Sequence, residues 1–223
     1  MTIPIILAAV CVASTAFFIW TEYNWPQKRT LITKGLSSLL FIAIGVCSYI
    51  VTDAPANYAL WIVAALVMGM IGDLFLVFPN ILKSFILGLV AFLIGQIIYG
   101  VVFLRFNGFM IYDVLIYVSL VGASFFAYSK SNLELGRMKK PVLFYVLIIA
   151  FMFTMAISTL YKGGFNTPTT ILITVGASLF LISDVVLAFV RFQKDAAPCL
   201  RGINLGLYYS GQILLALSVL TFA

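Results

Sequence analysis

Two aspartates, Asp73 and Asp184, sit in the same short pattern, each inside a long apolar run. Gly72-Asp73-Leu74-Phe75-Leu76-Val77-Phe78 and Ser183-Asp184-Val185-Val186-Leu187-Ala188-Phe189 both read small-Asp-apolar-apolar-Leu-apolar-Phe. A carboxylate surrounded by lipid-soluble residues is costly to keep, so it marks a functional position by default. The 223 residues include no histidine. That removes the commonest general base and the commonest zinc ligand, and leaves carboxylates as the groups for proton transfer. Two carboxylates in one low-dielectric site hold one proton between them, because ionising both is unfavourable; one can then act as acid and the other as base.

The frame for these residues is a membrane. The chain is 64% hydrophobic and 9% charged, whereas soluble domains are near half apolar and a quarter charged. Apolar runs of about 20 residues recur along the whole length, each able to cross a hydrocarbon core as a helix. The short alternating segments of a β-barrel are absent. The expected fold is all-α: one transmembrane domain, residues 1–223, with eight helices near 3–21, 31–51, 58–78, 82–104, 109–128, 141–161, 168–190 and 203–222. Turn and breaker residues separate them, among them Asn24-Trp25-Pro26, Asp53-Ala54-Pro55, Asn107-Gly108 and Gly163-Gly164. The first run lacks a preceding basic region and reads as a retained helix, not a leader.

Of the 13 lysines and arginines, only Arg105 and Lys162 fall on the even-numbered connections; the other eleven flank odd-numbered ones. This bias places the odd connections in the cytoplasm and both termini opposite it, in a bacterial inner membrane. The net charge of +6 is thereby a topology signal, and no nucleic-acid partner is expected. Asp73 and Asp184 fall five and six residues before the expected ends of helices 3 and 7, which sets both roughly 8–9 Å from the cytoplasmic helix ends. Lys83 and Lys194 each follow ten residues after an aspartate, and Gly95-Gln96-Ile97 is echoed by Gly211-Gln212-Ile213. These matches point to a parallel repeat of four plus four helices.

Several polar residues are placed to meet the aspartates. Lys34 opens helix 2 on the cytoplasmic side, either snorkelling to the interface or pairing with a carboxylate or a lipid phosphate. Tyr145 lies one turn into helix 6. Tyr208 and Gln212 are four apart and share a face of helix 8, with Tyr209 alongside. Interfacial tyrosines often serve only as anchors, but the glutamine on the next turn favours a polar pocket. Gln96 and Tyr99 form a similar pair on helix 4, where a buried amide commonly just joins helices. Gly69, Gly176 and Ser183 allow close helix approach. Asp113 near the start of helix 5 suits the helix dipole, and Glu22, Asp53, Glu134 and Asp195 read as loop acids. Cys11, Cys47 and Cys199 have no metal or redox spacing. No cofactor and no metal site are expected.

With these residues in view, the chain resembles the YhhN-like lysoplasmalogenase family of eight-helix membrane proteins. The resemblance is carried by Lys34, by GDLFLVFP at 72–79, GLVAFLIGQIIY at 88–99, KPVLFY at 140–145, GASLFLISDVVLAFVRF at 176–192 and YYSGQILLA at 208–216. It covers nearly the whole chain. Gly35 departs from the proline common after this lysine, and Gln96 from a frequent histidine. The resemblance implies hydrolysis of the vinyl ether of lysoplasmalogens to a fatty aldehyde and glycerophosphoethanolamine or glycerophosphocholine. It makes Asp73 and Asp184 the catalytic pair, the lysophospholipid and water the reactants, and the bilayer the setting. Vinyl ethers are cleaved through an oxocarbenium ion, so the two-carboxylate logic of glycosidases transfers. Lys34, Tyr145, Tyr208, Tyr209 and Gln212 are the expected substrate-binding shell around one shared cavity, and Lys34, Lys83 or Lys194 the expected phosphate holder. The competing reading is a proton-coupled lipid or small-molecule transporter or binding protein using the same aspartates. A metal-dependent hydrolase would need more clustered carboxylates than the two in view.

Overall fold

The computed structural model describes residues 2–78 and 81–222. Eight helices cross end to end: α1 (Thr2–Asn24), α2 (Gln27–Ile50), α3 (Ala56–Phe75), α4 (Leu82–Asn107), α5 (Ile111–Lys130), α6 (Lys139–Lys162), α7 (Thr167–Phe192) and α8 (Cys199–Thr221), with a 3₁₀ turn at Gly136–Met138 before α6. Among the described residues there is no β-strand; the only extended pairing is one bridge between Leu133 and Gln193. In lipid, only a structure that satisfies its own backbone can span, and helices of this length do so. All eight are long and apolar enough to cross.

The helices stop where the chain chemistry stops them. Gly108 at φ +76° and Gly163 at φ +74° end α4 and α6 in conformations that side chains resist. Asn166 caps α7, its Oδ1 accepting from Thr169 N at 3.0 Å, with Pro168 in the first turn. Two of the boundaries that differ from expectation bear on the site. The first is α1, which runs on to Asn24, so Glu22 is helical; its Oε1 accepts from Arg201 Nη2 at 2.9 Å, tying α1 to α8. The second is α3, which closes at Phe75, two residues after Asp73, whereas α7 continues eight residues beyond Asp184. Equal depth counted from helix ends therefore does not carry over.

The burial pattern is that of an integral membrane protein. Large apolar side chains such as Ile32, Ile50, Trp61 and Phe126 face outward, while Lys34, Asp73, Ser37, Ser38, Gln96 and Gln212 are buried inside. Helix α8 is central, packing on α1, α2, α3 and α7. Glycines allow this: a Cβ on Gly211 would lie 2.8 Å from the Gly176 carbonyl oxygen, so α7 and α8 touch backbone to backbone. Helix α5 is the exception. It packs on α6 alone, and Asp113 is its one buried residue. Asp113 Oδ2 accepts from Met110 N at 2.7 Å and from Lys162 Nζ at 2.5 Å, and Tyr161 donates to Oδ1. The expected helix-dipole role is thus joined by a clasp holding the N-terminal end of α5 to α6.

Candidate active site

Asp73 ends a close polar cluster between α2, α3 and α8. Lys34 Nζ lies 3.3 Å from Oδ1, and both side chains are 2% exposed. Oδ2 accepts from Ser38 Oγ at 2.8 Å and Tyr208 OH at 3.0 Å, with Tyr209 OH at 3.4 Å. The cluster extends outward along α8: Gln212 Nε2 donates to Tyr208 OH at 3.2 Å, and Tyr99 OH donates to Gln212 Oε1 at 2.8 Å. Helical spacing builds it. Lys34 and Ser38 are four apart on α2, as are Tyr208 and Gln212 on α8. Gly69, one turn before Asp73, leaves the room: a Cβ there would come within 2.5 Å of Gln212 Nε2 and 3.0 Å of Tyr208 OH. Lys34 is therefore an ion-pair partner, neither snorkelling nor open to a phosphate.

Asp184 has a different setting. It is half-buried, accepts from Tyr145 OH at 2.7 Å through Oδ2, and lines a cavity of about 380 Å³ between α4, α5, α6 and α7. The cavity exists because α5 leans on α6 alone and leaves α4 and α7 uncovered. Its wall is mostly Leu, Val, Ala and Phe, with Tyr145, Ser124, Ser131, Tyr128 and Arg191 as polar exceptions. The connection after α5 closes one end: Glu134 N donates to the Phe192 carbonyl at 2.8 Å, and Leu133 and Leu135 line the space.

Of the expected site residues, the structure groups Asp73, Lys34, Tyr208, Tyr209 and Gln212 in one cluster, and Asp184 with Tyr145 in another. Only the latter two line the cavity. Phe92 stands at the border. It lines the cavity, meets the Tyr208 ring edge-on at 5.6 Å and the Phe180 ring at 6.4 Å, and lies where a Cβ on Gly72 would be 2.9 Å away. Lys83 and Lys194 are exposed and away from the cavity lining. Ser38 was not anticipated, although its spacing from Lys34 is a legible signal. Arg191 was counted only toward topology. Gln96 is buried, and neither of its amide atoms is hydrogen-bonded among the described residues. Among the described residues no three His, Cys, Asp or Glu side chains converge as a metal site would require.

The sequence signature of the YhhN family matches residues 29–219. Lysoplasmalogenase TMEM86B of Mus musculus is 28% identical over 222 residues, covering 97% of this chain and 85% of the relative. Lysoplasmalogenase TMEM86A of Bos taurus is 30% identical over 207 residues, covering 91% and 82%. Lysoplasmalogenase TMEM86B of Rattus norvegicus is 26% identical over 220 residues, covering 96% and 83%. No solved structure shows a significant match.

Proposed function

We propose that this chain, which belongs to the YhhN family, is a membrane-embedded lysoplasmalogenase, cleaving the vinyl ether of a lysoplasmalogen to a fatty aldehyde and a glycerophospho-headgroup. The observation that carries the reading is a carboxylate, Asp184, held by a tyrosine and opening onto an apolar cavity within a bundle of membrane helices. The relatives named above are lysoplasmalogenases by name, and none of those names supports the transport alternative.

The chemistry follows from the substrate. The protonated Asp184 gives its proton to the alkene carbon beta to the ether oxygen, and an oxocarbenium ion forms. The carboxylate left behind stabilises that cation, then takes a proton from the water that attacks the alpha carbon. The resulting hemiacetal collapses when its hydroxyl proton leaves and the glycerol oxygen gains one, releasing aldehyde and alcohol. Positioned acid–base catalysis of this kind is worth about 10²–10⁴-fold per group. Tyr145 orients Asp184 through Oδ2 and leaves Oδ1, which has no hydrogen-bond partner among the described residues, to face the substrate.

Asp73 is the proposed second carboxylate, with Lys34, Tyr208, Tyr209 and Gln212 as its support. Because Lys34 balances its charge, Asp73 shares no proton with Asp184, which carries the proton transfers. Asp73 is the ionised member, and Phe92, which lines the cavity and packs on the Tyr208 ring, stands between that cavity and the Tyr208 end of the cluster. The test is aldehyde release by the purified protein from lysoplasmenyl-phosphoethanolamine, with the saturated alkyl ether as control. Release from the first and none from the second supports the reading; no release from either ends it.

A further inference from the structure

We propose that Arg191 is the subsite for the anionic phosphodiester of the lipid, an inference that rests on the lysophospholipid reading above. Arg191 is the one lysine or arginine among the residues lining the cavity. It follows Asp184 by seven residues on α7, two turns later and on the same face, about 10 Å further along the axis. Its guanidinium lies 4.8 Å from the centre of the Phe85 ring, a contact that holds the side chain over the cavity wall. Among the described residues three ion pairs form, and Arg191 takes part in none.

These facts order the cavity along one axis. A cation without a carboxylate partner, in a mostly apolar wall, is a recognition element for an anion with an apolar tail. Arginine's planar fork suits a phosphodiester, which accepts two parallel hydrogen bonds. With the phosphate at Arg191, the glycerol spans toward Asp184, and the vinyl ether, a few bonds from the phosphate, reaches the acid. The alkenyl chain continues along the apolar walls of α4, α5 and α6. Lys34, a fully buried cation, is taken by Asp73, so the headgroup falls to the half-buried Arg191. An arginine serving only as a topology signal would be indifferent to the presence of a phosphate on the substrate.

That difference is the test. The full chain and its Arg191→Gln and Arg191→Lys variants are compared on 1-alkenyl-glycerophosphoethanolamine and on the phosphate-free 1-alkenylglycerol. Arg191→Gln should raise KM for the phospholipid roughly 10- to 100-fold, the scale of a lost charged hydrogen bond, with little change in kcat. Arg191→Lys should recover part of that loss. The KM for 1-alkenylglycerol should not respond to the substitution. Equal losses on both substrates, or a loss in kcat alone, overturn the proposal. Binding of the uncleavable 1-alkyl-glycerophosphoethanolamine keeps the question separate from catalysis. If the wild type cleaves nothing, the proposed reaction falls, yet a weaker Kd for Arg191→Gln still supports the subsite, and equal Kd values refute it. Should inorganic phosphate displace this lipid as well as the lipid displaces itself, the assignment to a lipid headgroup is overturned.

Discussion

Replacing Lys34 with Met removes one half of a buried ion pair and leaves the other. Both partners are 2% exposed, and the nitrogen is 3.3 Å from Asp73 Oδ1. Stranding a buried charge in this way typically destabilises by about 3–5 kcal/mol, far more than an exposed pair is worth. Asp73 keeps the Ser38 and Tyr208 hydroxyls on Oδ2, so the lower end, roughly 3 kcal/mol, is the expected loss. For a chain of this length that corresponds to a fall in Tm of about 6–12 °C. Lys34→Met/Asp73→Leu removes the stranded charge as well and should recover much of the loss, because a buried pair exchanged for apolar groups is often close to neutral. Thermal unfolding of the wild type, Lys34→Met, Asp73→Leu and the double variant in detergent, followed by circular dichroism, completes the cycle. Unchanged stability in Lys34→Met, or a double variant less stable than Lys34→Met, would show that Lys34 and Asp73 are not paired.

Asp184→Asn keeps the shape of the site but removes its acid, and should lower aldehyde release by at least about 10² without lowering Tm; near-normal turnover would refute acid catalysis at Asp184. Tyr145→Phe removes one orienting hydrogen bond and should reduce kcat by less than Asp184→Asn does. Gly211→Ala puts a Cβ 2.8 Å from the Gly176 carbonyl oxygen, where backbone must move, and should destabilise by about 1–3 kcal/mol. Gly69→Ala strikes the movable end of Gln212 instead, so it should reduce turnover more than stability, read from paired Tm and activity measurements. A reporter fused after α8 should be active opposite the cytoplasm; cytoplasmic signal would reverse the orientation drawn from the lysine and arginine bias.

How much of this was legible beforehand differs from element to element. Eight spans follow from apolar runs of membrane length, because backbone groups in lipid must be satisfied within the segment. Sharing of a face is also one-dimensional information: the four-residue spacing of Tyr208 and Gln212 is enough to put both on one side of α8, and the same rule would have found Ser38 from Lys34. Pairing between helices is not written that way. The repeated motif treats Asp73 and Asp184 as equivalents, yet one is enclosed with Lys34 and the other opens onto a cavity with Tyr145. Periodicity says which side of a helix is polar but not which helix lies opposite. That is decided by where backbones approach, at Gly69, Gly72, Gly176 and Gly211, and by bulky rings such as Phe92 that occupy the space between. Arg191 shows the same limit: in the sequence it is one of eleven lysines and arginines marking one side of the membrane, and only the gap left by α5 turns it toward a cavity.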